Sequence, residues 1–193
     1  MTAVTGSDVA PRLAALRERA EREGLLDVAY AVMDSPIGAL LLAATPRGLV
    51  RVTFNEGIDD ALVELSTRVS PRILHAPARL DAARGQLDRY FAGELTDFDL
   101  DIDRSLINRF AERVLTRTAA IPYGSFASYS EVAREIGAPR AARAVGNAVG
   151  SNPIPVIIPC HRVLRAGGAL GGYGGGLERK RYLLKLEGVL PAA

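Results

Sequence analysis

The apolar residues of this chain follow a strand-like pattern in one region near the N-terminus, and that region limits the folds the chain can adopt. Three short apolar runs, each of six or seven residues, follow one another near the N-terminus and are separated by turn sequences that contain Pro and Gly. Short runs joined by such turns predict an antiparallel three-stranded meander. The runs occupy residues 27–33, 39–44 and 48–54, and the turns are Ser35-Pro36-Ile37-Gly38 and Thr45-Pro46-Arg47-Gly48.

Helical patterns flank the predicted sheet. Residues 8–24 carry apolar side chains along one side and predict an N-terminal helix, and residues 58–68 and 78–92 predict two more. The acidic stretch 93–105 has no helical stripe and is interpreted as a connection. We therefore predict three segments: an N-terminal helical extension (1–26), a sheet domain (27–103) and a mostly helical domain (104–193).

The two halves of the chain carry opposite charge. Residues 1–103 contain 11 Arg and no Lys against 17 Asp and Glu, a balance of −6, whereas residues 104–193 contain 13 basic and 5 acidic residues, a balance of +8. A basic domain beside an acidic one favours a polyanionic partner for the basic half, because Arg and Lys neutralise phosphates. An uneven solvated surface would give the same count, so charge alone leaves both interpretations open.

The composition also limits the compartment. The chain has one cysteine, so it cannot form an internal disulfide, which fits a reducing environment and leaves the thiol free for chemistry. No apolar run approaches the length of a membrane span, and the charged, amphipathic N-terminus differs from a signal peptide. The sequence therefore predicts a cytoplasmic protein that has no membrane partner.

The basic half predicts a helix-turn-helix. A helix over 106–119, with Leu106, Phe110, Val114 and Leu115 on one side, precedes the pair. Ser128 and Glu131 have the spacing of a capping box, which predicts a helix that ends near Gly137. Pro139 then begins a second helix, predicted over 139–150.

The second helix of this pair is covered mostly by small side chains, so a partner could approach its backbone closely. Apart from Arg140, Arg143 and Asn147, residues 140–150 are Ala, Val or Gly. Small residues also suit tight helix packing, which is the favoured explanation when the segment is considered alone. Its place in a helix-turn-helix of the basic half favours nucleic acid as the partner.

The single cysteine, Cys160, follows a segment predicted to be a turn and a short apolar strand over 152–158. Pro159 ends that strand, so the thiol is expected at a strand end rather than in mid-core. The neighbouring Arg162 and Arg165 are expected to lower the pKa of the thiol. A lone intracellular cysteine is otherwise most often an inert part of the core.

His161 is one of two histidines and directly follows the cysteine. Successive strand residues point to opposite faces, so His161 can act on the thiol only if the chain bends or a water carries the proton. A histidine base also needs an acceptor that orients its ring, usually a carboxylate. The predicted helix 177–187 offers Glu187 and Glu178, and the residues alone do not decide between them.

A glycine-rich segment over 167–176 follows the cysteine. It has neither a P-loop lysine nor a dinucleotide fingerprint, so the sequence does not favour a nucleotide site. Glycine permits close backbone approach, which predicts a loop that passes near a planar ligand. Tyr173 would be the one aromatic wall of that loop.

The C-terminal half contains six short motifs, which follow one another along the chain as IPYGSFASYSEVA, AARAVG, SNPIP, PCHRV, GGYGGG and LLKLEG. Over residues 106–188 the chain closely resembles the O6-alkylguanine-DNA alkyltransferases, also called methylated-DNA–protein-cysteine methyltransferases. The N-terminal half is similar only in style to the small ribonuclease-H-like domain of that family. The resemblance implies an α+β fold, in which a ribonuclease-H-like sheet domain precedes a mostly helical domain with a helix-turn-helix.

The resemblance implies a repair protein that acts once. Such proteins bind duplex DNA through the minor groove, flip the damaged guanine into a pocket and move its O6-alkyl group irreversibly onto their own cysteine. O4-alkylthymine is a second candidate substrate. No metal or organic cofactor is implied, and a monomer is expected, with cooperativity on DNA left open.

The resemblance also assigns residues to roles. Cys160 would be the acceptor, His161 the water-linked base, Glu187 the carboxylate that orients it, Asn152 the brace of the turn beneath, and Tyr129 the donor to guanine N3. Arg143 would fill the gap left by the flipped nucleotide. The other DNA-binding residues would be Ser128, Arg140, Ala142 and Gly146. The base pocket would comprise Val163, Tyr173, Gly174, Pro155 and Lys180, with backbone contacts from Cys160, Val163 and Gly174.

The chain departs from the family pattern at two positions, Leu115 and Gly174. Leu115 stands where a tryptophan is common, which predicts a packing change, and Gly174 stands where a serine is common, which predicts altered tolerance for bulky alkyl groups. The zinc site of some relatives is not expected, because the N-terminal half offers only His75, interpreted as a surface or loop residue. The alternative function is that of the alkyltransferase-like sensors, which bind the lesion but lack the acceptor cysteine.

Overall fold

The computed structural model describes residues 22–191 together with Ala15, Arg19 and Ala20. Those three residues are helical, but most of the predicted helix 8–24 lies outside the described residues. Within the described part of the chain, no helix combines the length and the apolar character that crossing a membrane requires.

The N-terminal half is built on a four-stranded sheet with the order β3-β2-β1-β4. The first three strands pair antiparallel, so the predicted meander is confirmed. The fourth is parallel to β1 and lies outside the prediction, because three residues are too few to show a period of two. His75 belongs to this strand rather than to a loop, and its ring packs against Tyr30 with 5.4 Å between centroids. The strands are β1 (Val28–Met33), β2 (Leu40–Thr45), β3 (Gly48–Phe54) and β4 (Ile73–His75).

Two helices of this half cover the sheet. Helix α1 (Ile58–Arg68) has the predicted bounds, and α2 (Asp81–Phe91) follows a 3-10 turn over Pro77–Leu80. Side chains that alternate along β2 reach the two helices on opposite faces: Leu41 joins the cluster of α1, whereas Leu42 joins that of α2. The sheet is therefore buried on both sides.

The predicted connection 93–105 runs beside β3 instead of crossing open solvent. The Leu49 N–H donates to the Asp101 carbonyl at 2.8 Å, and the Asp103 N–H donates to the Leu49 carbonyl at 2.9 Å. A Cβ on Gly48, whose φ is +127°, would lie 2.3 Å from the Asp101 carbonyl oxygen. Only glycine fits this position, which lets the connection attach to the sheet edge.

The C-terminal half contains four helices within the described residues: α3 (Arg109–Ala119), α4 (Tyr129–Glu135), α5 (Ala142–Gly150) and α6 (Leu177–Leu186). The capping box is confirmed, since Ser128 Oγ accepts the Glu131 N–H at 3.2 Å and Glu131 Oε2 accepts the Ser128 N–H at 2.6 Å. Strands β5 (Ala127–Ser128) and β6 (Val163–Leu164) form a short parallel pair.

Two predicted helix starts are wrong. Asn108 caps α3 by accepting the Ala111 N–H at 2.9 Å, so the helix starts at Arg109 and Leu106 lies outside it. Helix α5 begins at Ala142, because Pro139 and Arg140 form a turn before it. Leu106 continues the apolar pattern of α3 beyond its start, and Pro139, a residue common at the first position of a helix, lies in a turn here.

The two halves share one core. Phe54 and Leu87 from the sheet domain pack in the same buried cluster as Ile154, Val156 and Leu183 from the C-terminal half. The backbone is joined as well, because the Val52 N–H donates to the Pro153 carbonyl at 2.9 Å. Strand β3 is thereby held against the segment that leads to the cysteine.

Candidate active site

The segment 152–158 before Cys160 is a compact turn throughout, so the short strand predicted after the turn is wrong. Asn152 holds the turn with both ends of its amide: Oδ1 accepts the Ile154 N–H at 3.0 Å, and Nδ2 donates to the Ile158 carbonyl at 2.9 Å. Val156 adopts a φ of +73°, a left-handed conformation that a strand does not contain. Prolines within the segment remove the N–H groups that strand pairing would need.

The cysteine itself opens a 3-10 turn, Cys160–Arg162, whose three residues are all buried. This bend separates the directions of the thiol and the neighbouring imidazole. Nε2 of His161 lies 2.8 Å from Oε1 of Glu187, and both side chains are fully buried. Glu178, the other candidate, is exposed on α6 and pairs with Arg181 instead.

Glu187 follows the last residue of α6 and is the centre of a buried network. Arg162 donates to it twice, from Nε to Oε2 at 2.8 Å and from Nη2 to Oε1 at 2.9 Å. The Tyr90 hydroxyl donates to Oε1 at 2.6 Å. Burial would raise the pKa of Glu187, but the hydrogen bonds from His161 and Arg162 outweigh it and lower the pKa to about 2. The carboxylate is therefore ionised at neutral pH.

An ionised carboxylate can only accept hydrogen bonds, so the proton of the neutral His161 ring must sit on Nε2. Burial lowers the pKa of His161, even though Glu187 opposes that shift. The other ring nitrogen, Nδ1, is buried and has no hydrogen-bond partner among the described residues. His161 thus presents a free lone pair on the side away from Glu187.

The pKa of Cys160 is raised to about 11, because burial dominates. A hydrogen bond from Asn152 and the charge of Lys180 act in the opposite direction. The expectation that Arg162 and Arg165 lower this pKa is wrong. Arg162 is held by Glu187 and by the Ile121 carbonyl, to which Nη1 donates at 2.6 Å.

Lys180 is a buried cation whose charge lowers the pKa of the Cys160 thiol. Its Nζ donates to the Val163 carbonyl at 2.7 Å and lies 3.4 Å from the Gly172 carbonyl oxygen. Burial lowers its pKa to about 8, while the charge of Cys160 raises it. The predicted backbone acceptors are already in use within the protein, since the Cys160 carbonyl also accepts the Val163 N–H.

Two adjoining cavities open beside the thiol. A cavity of about 130 Å³ reaches Cys160 and is also lined by Asn152 and Pro155. A cleft of about 420 Å³ is lined by Tyr129 and Gly146. Both are bounded by Val149, Gly150, Tyr173 and Gly174, so the two cavities adjoin at Tyr173 and Gly174, which are predicted residues of the base pocket.

The remaining predicted residues lie around the helix-turn-helix and line neither cavity. Arg143 is exposed on α5, one turn from Gly146 and therefore on the same face, and Ala142 adjoins it. Arg140 is exposed in the turn before α5, and Ser128 caps α4. The face of α5 that carries Arg143 therefore adjoins the cleft, whose lining includes Gly146.

Aromatic side chains of the protein explain why glycine is needed at two positions of the glycine-rich loop. A Cβ on Gly171 would lie 2.5 Å from the Tyr129 hydroxyl, and one on Gly175 would lie 2.4 Å from the Phe54 ring. Tyr173 meets Phe54 edge to face, with 5.9 Å between centroids. The loop backbone therefore passes close to aromatic side chains of the protein, whereas its approach to a planar ligand stays a prediction.

Comparison with known proteins identifies the family. Residues 28–104 match the family model described as 6-O-methylguanine DNA methyltransferase, ribonuclease-like domain, and residues 109–189 match that of the DNA binding domain. The Mycobacterium tuberculosis methylated-DNA–protein-cysteine methyltransferase is 46% identical over 158 residues, which cover 82% of this chain and 91% of the relative. The chain belongs to the 6-O-methylguanine DNA methyltransferase family.

Other members of the family agree in sequence and fold. The methyltransferase of Methanosarcina acetivorans is 43% identical over 159 residues, covering 82% of this chain and 97% of that one. The crystal structure of Mycobacterium tuberculosis OGT in complex with DNA superposes with a TM-score of 0.72 at 46% identity, over 83% of this chain and 92% of that chain. The α+β fold, with a ribonuclease-like domain before a DNA-binding domain, is thereby confirmed.

Three residues of the site were not predicted in the roles that the structure gives them. Tyr90 could have been found, because the apolar spacing of α2 buries it and a buried tyrosine needs a partner for its hydroxyl. Arg162 lies within the PCHRV motif, but its role beside Glu187 depends on a contact 25 residues away. Phe54 ends β3, and nothing local connects it with the thiol.

Proposed function

We propose that this protein repairs alkylated DNA by direct reversal, moving the alkyl group from O6-alkylguanine in a duplex irreversibly onto Cys160. The main support is the arrangement of side chains around the thiol in a chain of this family. Cys160 is buried, the neighbouring His161 pairs with Glu187, and the cavity at Cys160 adjoins the cleft that Tyr129 lines. The relatives named methylated-DNA–protein-cysteine methyltransferases support the same reaction.

In the proposed reaction, the sulfur attacks the alkyl carbon, the S–C bond forms and the O6–C bond breaks. The electron pair of the broken bond stays on the guanine, which accepts a proton as it leaves. Tyr129 would assist by donating a hydrogen bond to N3 of the base. A thiolate is a soft nucleophile suited to this displacement.

The thiol proton needs a route, because Cys160 is protonated at neutral pH with a pKa of about 11. We assign it to a water that links the sulfur to Nδ1 of His161, the buried nitrogen that has no partner in the described structure. Glu187 would hold the ring in this tautomer and stabilise the imidazolium that forms. Lys180 would stabilise the developing thiolate through its charge.

DNA binding is assigned to the helix-turn-helix of the segment 104–193. Ala142 and Gly146 give α5 a surface that a backbone can approach closely, and Arg143 would occupy the space left by the flipped nucleotide. Arg140 and Ser128 would contact the duplex beside it. Extrusion of a base costs a few kcal/mol, which contacts in the pocket must offset.

The base would occupy the cleft between Tyr129 and the glycine-rich loop. Tyr173 and Pro155 would bound the alkylated side of the base, because both line the cavity at Cys160. The backbone of Val163 and the Gly174 N–H would recognise its polar edge. Asn152 would keep the turn beneath Cys160 in place through its two backbone hydrogen bonds.

Intact-mass spectrometry tests this function. When the protein is mixed with a duplex that contains one O6-methylguanine, we expect the mass of the wild-type chain to rise by one methyl group. The Cys160→Ala variant should bind the same duplex and gain no mass. Binding by the wild type without a mass change would instead support a sensor, although the sensors that this chain resembles lack the acceptor cysteine.

A further inference from the structure

The acceptor cavity is closed on one side by the sheet domain. Besides Cys160 and Tyr173, its lining includes the last residues of β3, Val52, Thr53 and Phe54. Phe54 is 8% exposed and belongs to the core cluster that contains Ile154 and Val156 from the turn before the thiol. A residue of the N-terminal half therefore forms part of the wall around the proposed reaction.

The ring of Phe54 is fixed from three directions. Tyr173 packs against it edge to face, and the backbone of Gly175 lies so close that a Cβ there would be 2.4 Å from the ring. The guanidinium of Arg179 lies over the ring, 4.7 Å from its centroid. Cation–π contact of this kind favours one ring position over others.

Arg179 is itself held by both halves of the protein. Its Nε donates to the Ile37 carbonyl at 2.7 Å, and its Nη2 donates to Glu56 Oε1 at 2.7 Å, both in the sheet domain. Its Nη1 donates to the Gly175 carbonyl at 3.0 Å, in the glycine-rich loop. The planar, forked guanidinium makes these three bonds from three separate nitrogens, whereas all donors of a lysine are on one nitrogen. Arg179 thereby couples the loop of the base pocket to Phe54.

We propose that Phe54 limits the size of the alkyl group that Cys160 accepts, with Arg179 as the positioning residue that holds its ring. The inference rests on the proposed alkyl transfer. An apolar protein cavity of about 150 Å³ holds benzene, whereas the cavity beside Cys160 measures about 130 Å³. Methyl and other short alkyl groups fit this space, whereas a benzyl group would fill it and press on its walls, of which Phe54 is one.

The test compares two duplexes of the same sequence, one with O6-methylguanine and one with O6-benzylguanine. The single-turnover rate of transfer is measured for each, and the ratio of the benzyl rate to the methyl rate is the readout. We expect Phe54→Ala to raise this ratio by about tenfold or more, since each methylene in an apolar pocket changes selectivity by that order. Phe54→Leu is a smaller truncation and should raise the ratio less.

Arg179→Met keeps an unbranched apolar stem and removes the guanidinium with its three hydrogen bonds, so it should shift the ratio in the same direction as Phe54→Ala. Arg179→Lys should restore part of the selectivity, because it keeps the charge over the ring. Phe110→Ala removes an aromatic ring of the same size that lines neither cavity, and its ratio should equal that of the wild type.

The outcomes separate this inference from the proposed function. If the wild type transfers methyl and the ratio is the same in Phe54→Ala, or in Phe54→Leu where only that variant folds, the role of Phe54 is refuted. If the ratio rises equally in Phe110→Ala, general loosening explains it and the inference is also refuted. If the folded wild-type protein transfers neither group, the proposed function itself fails.

Discussion

Nε2 of His161 and Oε1 of Glu187 are 2.8 Å apart, although 26 residues separate them in sequence and neither side chain reaches solvent. The contact fixes the tautomer of the imidazole and leaves Nδ1 free. The buried carboxylate of Glu187 is stabilised further by Arg162 and Tyr90, which also donate hydrogen bonds to its oxygens. The predictions below follow from this network and from its surroundings.

Replacing Glu187 by Gln should slow alkyl transfer by about 100-fold, the order expected when a general base loses its support. The substitution removes the charge that stabilises the imidazolium, so the thiol proton moves to His161 less readily. Single-turnover transfer from methylated duplex measures the effect. Tyr90→Phe is the matched control, because it removes one hydrogen bond to the same carboxylate and keeps the charge. A wild-type transfer rate in Glu187→Gln would exclude Glu187 from the proton route.

The thiol of the free protein should remain protonated through neutral pH. Burial raises the pKa of Cys160 to about 11, so the thiolate absorbance should appear only as the pH approaches that value. Ultraviolet titration of the single cysteine tests this directly. A midpoint below the ordinary pKa of a cysteine would contradict the assignment of burial as the dominant cause.

Arg143→Ala should slow transfer from duplex DNA by about tenfold while the fold is preserved, the order of effect expected for one arginine contact to DNA. The side chain is exposed on α5, so its removal opens no cavity. Transfer from a single-stranded oligonucleotide should change less, because no gap in a base stack needs filling. The exposed Arg89→Ala in the acidic half serves as the control. Equal duplex rates in the wild type and Arg143→Ala would rule out the assigned role.

Two adjacent glycines should respond differently to alanine. A Cβ on Gly175 would overlap the Phe54 ring at 2.4 Å, and we expect Gly175→Ala to lose about 1–3 kcal/mol of stability. A Cβ on Gly174 would lie 3.7 Å from the Gly150 carbonyl oxygen, an ordinary contact. Gly174→Ala should therefore change stability by less than about 0.5 kcal/mol. Urea unfolding of the two variants provides the comparison, and similar losses in both would show that the Phe54 contact is not the constraint.

Local patterns were sufficient for much of the fold. The meander followed from apolar runs and Pro–Gly turns, and the start of α4 followed from the reciprocal bonds that Ser128 and Glu131 can make. Each of these features depends on residues close together in sequence. The resemblance to the family then singled out Glu187, where the residues alone left Glu178 open.

Long-range contacts set the limits of prediction. The turn over 152–158 has the composition of a strand, but Asn152 bonds the backbone on both sides of it and bends the chain. The environment of Cys160 was expected to be electropositive because Arg162 lies nearby in sequence, yet Glu187 binds that charge. Phe54 reaches the cavity only because β3 packs against the segment before the cysteine.

The stoichiometry of repair tests the central claim most directly. Protein is incubated with an excess of duplex containing O6-methylguanine, repaired guanine is counted, and the modified residue is located by peptide mapping. The account predicts one repaired lesion per chain, one methyl group on Cys160 and no further repair with time. Repair of many lesions per chain, or repair that leaves Cys160 unmodified, would contradict it.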